Sequence, residues 1–334
     1  MLGLLISLFA YPLFAQQNEP LSDRLNDRLK SEELQVGVLL QSIGVFSFDD
    51  DNFNGGRKFD LGATRLDVRG LVDSNYMYRL QVDLRRSSPV IDAQVGYHFS
   101  DSFKLVTGAF KPFLSADLDP SPANTDFINR ARQVGAMMNS REIGVTALGD
   151  FEGGFNYRFG MYNGTGLTRQ NDNKFLYTAR VGYTTDLDQG SLEFGFQGAL
   201  NQTRLTNVGN TGLTSRGDRT LFGGFFSFDL ESIFGTFEFL QTQFDLATGQ
   251  GAEETITGFY GTLGNRLTDN NELLIRWDRL DFDVSRSASD LLTLGWNHQA
   301  TSLISFQVNA LFRIEDDDMM DDQFGLSGNF QFSF

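Results

Sequence analysis

The chain has 334 residues and a formal net charge of -16, from 27 Lys and Arg against 43 Asp and Glu, which argues against nucleic acid as a partner. Its 33 Phe and 35 Gly stand beside only 6 Pro and no Cys, so disulfides and thiolate metal sites are excluded. Mean hydropathy is -0.24. Mild polarity with many aromatics suits a membrane β-barrel, in which only alternate strand positions must be apolar.

Residues 1–15, MLGLLISLFAYPLFA, are apolar and uncharged, and Ala15 offers a small residue for cleavage. This stretch reads as a secretory signal peptide, too short to stay in a bilayer as a helix. It departs from the usual pattern in lacking Lys or Arg after Met1 and in placing Leu13 at the third position before the cut. The alternative is a buried N-terminal helix or strand. Residues 16–33 are polar, and the four-residue spacing of Leu21, Leu25 and Leu29 predicts a short helix in a periplasmic segment ahead of the barrel.

From Leu34 the period changes to two. Tyr76, Tyr78, Leu80, Val82 and Leu84 share one face, opposite Met77, Arg79, Gln81, Asp83 and Arg85. The same alternation recurs in 155–161, 175–183 and 304–313, with polar breaks such as Asp73-Ser74-Asn75 between runs. About sixteen strands are expected, an even count that brings both ends of the barrel domain, 34–334, to one side of the membrane. Their ranges are 34–48, 59–72, 76–85, 90–99, 103–112, 141–149, 154–163, 173–185, 191–203, 219–230, 235–247, 254–266, 272–282, 289–299, 302–314 and 321–334. Two of them alternate poorly: Leu273 and Leu274 cannot both face lipid, and 254–266 has no clear register. The last strand puts Phe324, Leu326, Phe330, Phe332 and the terminal Phe334 on one face, a patch that water would penalise. The fold class is therefore all-β, a transmembrane antiparallel barrel, one of two backbone solutions that leave no polar group unpaired in hydrocarbon. That many strands enclose an aqueous channel.

One connection differs from the rest. Residues 113–140, between Lys111-Pro112 and Arg141, form a long loop in which Phe127, Ile128, Met137 and Met138 interleave with Arg130 and Arg132. Long loops in compact domains are functional or disordered, and this apolar content predicts a loop folded into the bore as a constriction. Rings of Arg or Lys select anions there and rings of Asp or Glu select cations. Arg130, Arg132, Arg141 and Lys111 are the constriction candidates. Arg130 has an alternative, tying the loop to Asp67, Asp83 or Glu142. Alternation turns Arg65, Arg69, Arg79, Arg85, Arg158, Arg180, Arg313, Asp67 and Asp83 inward, with Asp92 and Glu193. This near balance fits either a selective lining or a ladder of paired charges that stiffens the wall.

Closure makes the first and last strands neighbours, so Asp49, Asp50 and Asp51 approach Asp316, Asp317, Asp318, Asp321 and Asp322 on one rim. Such carboxylates either hold Ca²⁺ or Mg²⁺ or form a solvated acidic edge. No cofactor is expected. The chain has two histidines, His98 and His298, both near the other rim, with no Ser-His pairing and no HExxH spacing. An outer-membrane hydrolase is thus a weaker reading, as is an adhesive barrel, since most loops are short.

Several fragments resemble a known family in order and spacing. They are Arg65 to Gly70 (RLDVRG) with Tyr78 and Gln81-Val82-Asp83, Gly108 to Phe113 (GAFKPF), Asp126 to Ala131 (DFINRA), Arg141 to Val145 (REIGV) and Tyr157 to Gly164 (YRFGMYNG). From about Leu61 onward the chain resembles the phosphate-selective porin O and P family. That resemblance implies a sixteen-stranded homotrimer in outer-membrane lipid and lipopolysaccharide, passing small hydrophilic solutes, with basic lumen residues handing anions along. The sequence departs from the family in lacking one residue between Lys111 and Pro112 and in placing Asn129 where an acid is common. A weakly selective or cation-preferring pore is the alternative, because the Asp-rich rim enriches cations at the mouth.

Overall fold

The computed structural model describes residues 20–48, 53–168, 171–248, 252–317 and 319–334. The expected signal peptide, 1–15, lies outside the described residues, as do Asp49, Asp50, Asp51 and Asp318. A short helix, α1 (Leu21–Leu29), forms over the spaced leucines but buries none of its residues. The chain after it is fixed to the barrel end, where Tyr78 Oη donates to the Glu33 carbonyl at 2.8 Å and Lys30 Nζ sits 4.9 Å from the Phe334 ring centre.

Among the described residues sixteen strands follow: β1 (Gln35–Ser47), β2 (Arg57–Val72), β3 (Tyr76–Asp83), β4 (Val90–Ser100), β5 (Phe103–Phe110), β6 (Glu142–Asp150), β7 (Phe155–Tyr162), β8 (Leu176–Leu187), β9 (Gly190–Asn207), β10 (Thr214–Leu230), β11 (Ile233–Leu246), β12 (Glu253–Thr268), β13 (Asn271–Phe282), β14 (Ser289–Gln299), β15 (Ile304–Glu315) and β16 (Gln323–Ser333). Each pairs antiparallel with its chain neighbour, and β1 closes on β16 in a register that sets Ser42 opposite Phe330. Closure removes the sheet edge, so the ladder supplies the partners that lipid cannot.

Strand periodicity of two explains the surface. Leu80, Phe159, Tyr177, Phe196, Phe222, Trp277 and Phe330 point outward and are exposed, while Gln81, Thr178, Gln197, Asn329 and Gln331 point inward and are buried. Two aromatic belts mark the membrane limits. Phe46, Phe48, Phe324 and Phe312 make ring contacts of 4.6 to 4.8 Å at the long-loop end. Tyr76, Tyr97, Phe99 and Phe103 do so at 4.5 to 5.0 Å at the tight-turn end.

The strand ranges expected from alternation match within a few residues, with two physical exceptions. The fifth strand stops at Phe110 because Pro112 has no N–H to give the ladder and Phe113 takes a positive φ of 48°. The hairpin of β9 and β10 runs farther toward the long-loop end, to Asn207 and Thr214. The ambiguous strands also resolve. Leu273, Ile275 and Trp277 face lipid while Leu274 is buried inside, and β12 turns Ile256, Gly258 and Tyr260 inward. Ile256, Gly258 and Tyr260 face the bore because the long connection covers them.

Candidate functional site

The connection 111–141 lies inside the barrel and packs as a second layer against one side of it. Leu114, Leu118, Val134 and Met137 of the segment join Leu240, Phe244, Ile256 and Tyr260 of the wall in one apolar cluster. The six-residue helix α2 (Arg132–Met137) fits where the wall gives way, since a Cβ on Gly258 would lie 2.7 Å from the Gln133 side chain. Phe127, 2% exposed, sits against Gly295 and beneath the Arg276 guanidinium, 4.6 Å from its ring centre.

Polar anchors fix the segment further. Glu238 of β11 is fully buried and accepts from Ser115 Oγ at 2.7 Å, the Ala116 amide at 2.7 Å, Gln133 Nε2 at 3.0 Å and Gln197 Nε2 at 2.8 Å. Hydrogen bonds to a charged group contribute about 1.5–3 kcal/mol each, and a buried carboxylate left unpaired costs more than that. Arg132 is directed at the wall. Its Nε donates to Asp278 Oδ1 at 2.9 Å, Nη1 to Ser289 Oγ at 2.8 Å, and Nη2 to the Asp278 and Ser289 carbonyls, both at 2.7 Å. Gln41, Gln307 and Gln331 donate to the Pro122, Thr125 and Ala123 carbonyls, and Arg219 reaches the Met137 carbonyl. Glu142 accepts from Asn139 and from the amides of Gly164 and Gly166, tying the end of the segment to the next loop.

Across the bore, the charged residues of β2 to β4 bond one another. Arg65 meets Asp83 at 3.3 Å, Arg79 meets Asp67 at 2.8 Å and Asp92 at 3.8 Å, and Arg85 meets Asp83 at 3.5 Å. Arg141 closes the ladder on Asp92 at 2.5 Å. Elsewhere Arg158 pairs with Asp150 at 2.8 Å, Arg180 with Asp119, and Arg313 with Glu315 at 2.6 Å, while Arg69 rests on Gln35 at 3.2 Å near the tight-turn end. Paired charges of this kind hold a wall and carry little net field.

Between that wall and the inserted segment lies a cavity of about 670 Å³ open toward the long loops. Its charged lining is Arg65, Arg86, Lys111, Arg130, Arg132, Arg141, Arg286 and Arg313, with no carboxylate among the described lining residues. Lys111 Nζ donates to the carbonyls of Leu118, Asp119 and Pro120 at 2.8, 2.7 and 2.8 Å, folding the segment around its own ammonium. Burial, then the nearby Arg141 and Arg130 charges, push that ammonium down to about 7, while the three carbonyls favour the cation. Arg130 gives Nη2 to the Pro120 carbonyl and leaves Nη1 buried without a partner. No carboxylate pairs with it among the described residues, so the expected alternative of a tie to Asp67, Asp83 or Glu142 is not realised. Thus Lys111, Arg130 and Arg141 come together with Arg65, and Arg132 is set apart on Asp278.

The remaining sequence candidates lie away from the constriction. His98 contacts Asp101 at 3.2 Å and His298 contacts Asn271 at 3.0 Å, both toward the tight turns. On the acidic rim, Asp316 pairs with Arg279 at 2.6 Å and Asp317 accepts from the Met319 amide. Among the described residues no group of His, Asp and Glu is arranged to hold a metal. Glu238, Asp278 and Arg276 were not singled out by sequence. Their inward strand positions were the available signal, without any hint of what they face. The first long loop also bends inward, since Asn129 Nδ2 donates to Asn54 Oδ1 at 3.0 Å.

Comparison with known proteins agrees with this architecture. OmpT of Vibrio cholerae superposes with a TM-score of 0.66 at 12% identity, over 92% of this chain and 99% of that one. An anion-selective porin from Comamonas acidovorans gives 0.66 at 14% identity, over 90% and 99%. OmpF of Salmonella typhi gives 0.62 at 9% identity, over 90% and 97%. No curated protein matches the chain by sequence. The profile of the phosphate-selective porin O and P family matches residues 41–220, more than half of the length. The chain belongs to that family and is a porin of the bacterial outer membrane, a sixteen-stranded barrel for passive diffusion of small hydrophilic solutes.

Proposed function

We propose that this porin prefers anions, phosphate among them, and that it does so at Lys111 and Arg130, beside the wall-paired Arg65 and Arg141. The carrying observation is the outer cavity, which presents basic side chains and no carboxylate among its described lining. Screening in physiological salt falls off over about 8 Å, so the local lining and not the net charge of the chain governs which ions enter. Residues 113–140 act as the constriction, and the tight-turn end faces the periplasm, as short turns do in such barrels. Residues 1–15 direct export, and 16–33 remain as a periplasmic segment. The chain works as a homotrimer in lipid and lipopolysaccharide; the trimer form of Vibrio cholerae OmpT supports the oligomeric state. It carries out no catalysis and needs no cofactor.

Single-channel conductance in two salts tests the preference. A large cation with chloride should conduct nearly as well as KCl, and potassium with a large anion should conduct far less. Equal losses in both salts would overturn it. A weakly selective pore is the second reading, favoured by Asp117, Asp126 and Glu193 on the far side of the segment.

A further inference from the structure

The inserted segment divides the bore into two chambers of similar size and opposite fixed charge. The outer one holds Lys111, Arg130, Arg86 and Arg286, none paired with a carboxylate among the described residues. The inner one, about 660 Å³ and open toward the tight turns, is lined by Asp117, Asp119, Asp126, Asp150 and Glu193 against only Arg158 and Arg180. Those two arginines are taken up by Asp150 and Asp119, with Glu193 3.7 Å from Arg180. Asp117 and Asp126 have no cationic partner among the described residues. Residues 117–124 form the septum: Leu118 and Pro122 line the outer chamber, and Asp117, Asp119 and Asn124 line the inner one.

We propose that this charge reversal makes the pore rectify, passing more current when the inner side is positive than when it is negative. Cavities of about 670 and 660 Å³ keep ions within reach of the wall charges at a screening length of about 10 Å in 0.1 M salt, so fixed charge sets the ion content of each. Anions collect in the outer chamber and cations in the inner one. A positive inner side drives both populations into the constriction and fills it with carriers. The opposite polarity draws both away and depletes it. This goes beyond anion preference, which concerns the ion that passes and not the direction of easier flow.

The test is a single-channel current–voltage curve in symmetrical KCl. The chain has no Cys, so Ser287→Cys in the outer chamber, blocked by a bulky thiol reagent from one side only, marks the orientation of each channel. At about 0.05 M KCl the current with the inner side positive should exceed the reverse current roughly twofold, and the ratio should approach unity at about 1 M, where screening shortens to about 3 Å. Asp126→Asn with Glu193→Gln should reduce the low-salt ratio while leaving the high-salt conductance unchanged. Equal currents at low salt, the opposite polarity, or a ratio that survives both high salt and the double substitution would overturn the inference. A linear pore that still prefers anions would overturn rectification alone, and a rectifying pore that prefers cations would overturn the anion reading alone.

Discussion

On the β2–β4 wall, Arg65, Arg79 and Arg85 each face a carboxylate of the same sheet, at 2.8 to 3.5 Å. In the inserted segment, Lys111 and Arg130 rest, among the described residues, only on carbonyl oxygens, which accept hydrogen bonds without cancelling charge. The difference teaches that an inward arginine in a barrel is scaffold or selector according to its partner. Arg132 sharpens the point. Two residues from Arg130, it serves as a rivet because its side chain lands on Asp278.

The contrast can be broken most forcefully at Glu238. Glu238→Leu removes the acceptor of four hydrogen bonds, at about 1.5–3 kcal/mol each for bonds to a charge. The segment should loosen, raising single-channel conductance severalfold and erasing much of the ion preference. Arg132→Leu comes next. Stranding the buried Asp278 carboxylate costs about 3–5 kcal/mol, so the temperature of heat denaturation in detergent should fall, with little change in selectivity in channels that still fold. Arg130→Gln should do the reverse, leaving heat stability nearly intact and shifting the reversal potential toward cations. The paired swap Asp67→Asn with Arg79→Gln, removing one charge of each sign, should leave that potential unchanged.

The smallest effect concerns pH. Lys111 is held at about 7 by burial and by its basic neighbours, so it is charged below that pH and loses its proton as pH rises through it. Anion preference should therefore decline modestly between about pH 6 and pH 8, measured by reversal potential, and Lys111→Met should remove this slope.

Much of the wall was legible because lipid outside and water inside force a period of two on every strand, and the terminal phenylalanines announced closure. Alternation failed where it had a physical reason to fail: Ile256 and Tyr260 are apolar on the lumen side because the segment covers them. The existence of that segment was legible from its length, and its inward fold from its buried apolar residues. Its anchoring was not, since Ser115 meets Glu238 across 123 positions and Arg132 meets Asp278 across 146. Arg130 and Arg132 read alike in sequence, and only the partner each finds, the Pro120 carbonyl or the Asp278 carboxylate, separates them.

The most direct measurement is the zero-current potential of the unmodified channel in a planar bilayer under a KCl gradient. The basic outer cavity, with no carboxylate among its described lining, predicts a potential of the sign and size of a chloride-preferring pore. A potential of cation sign would contradict it, and would pass control of the ions to Asp117, Asp126 and Glu193.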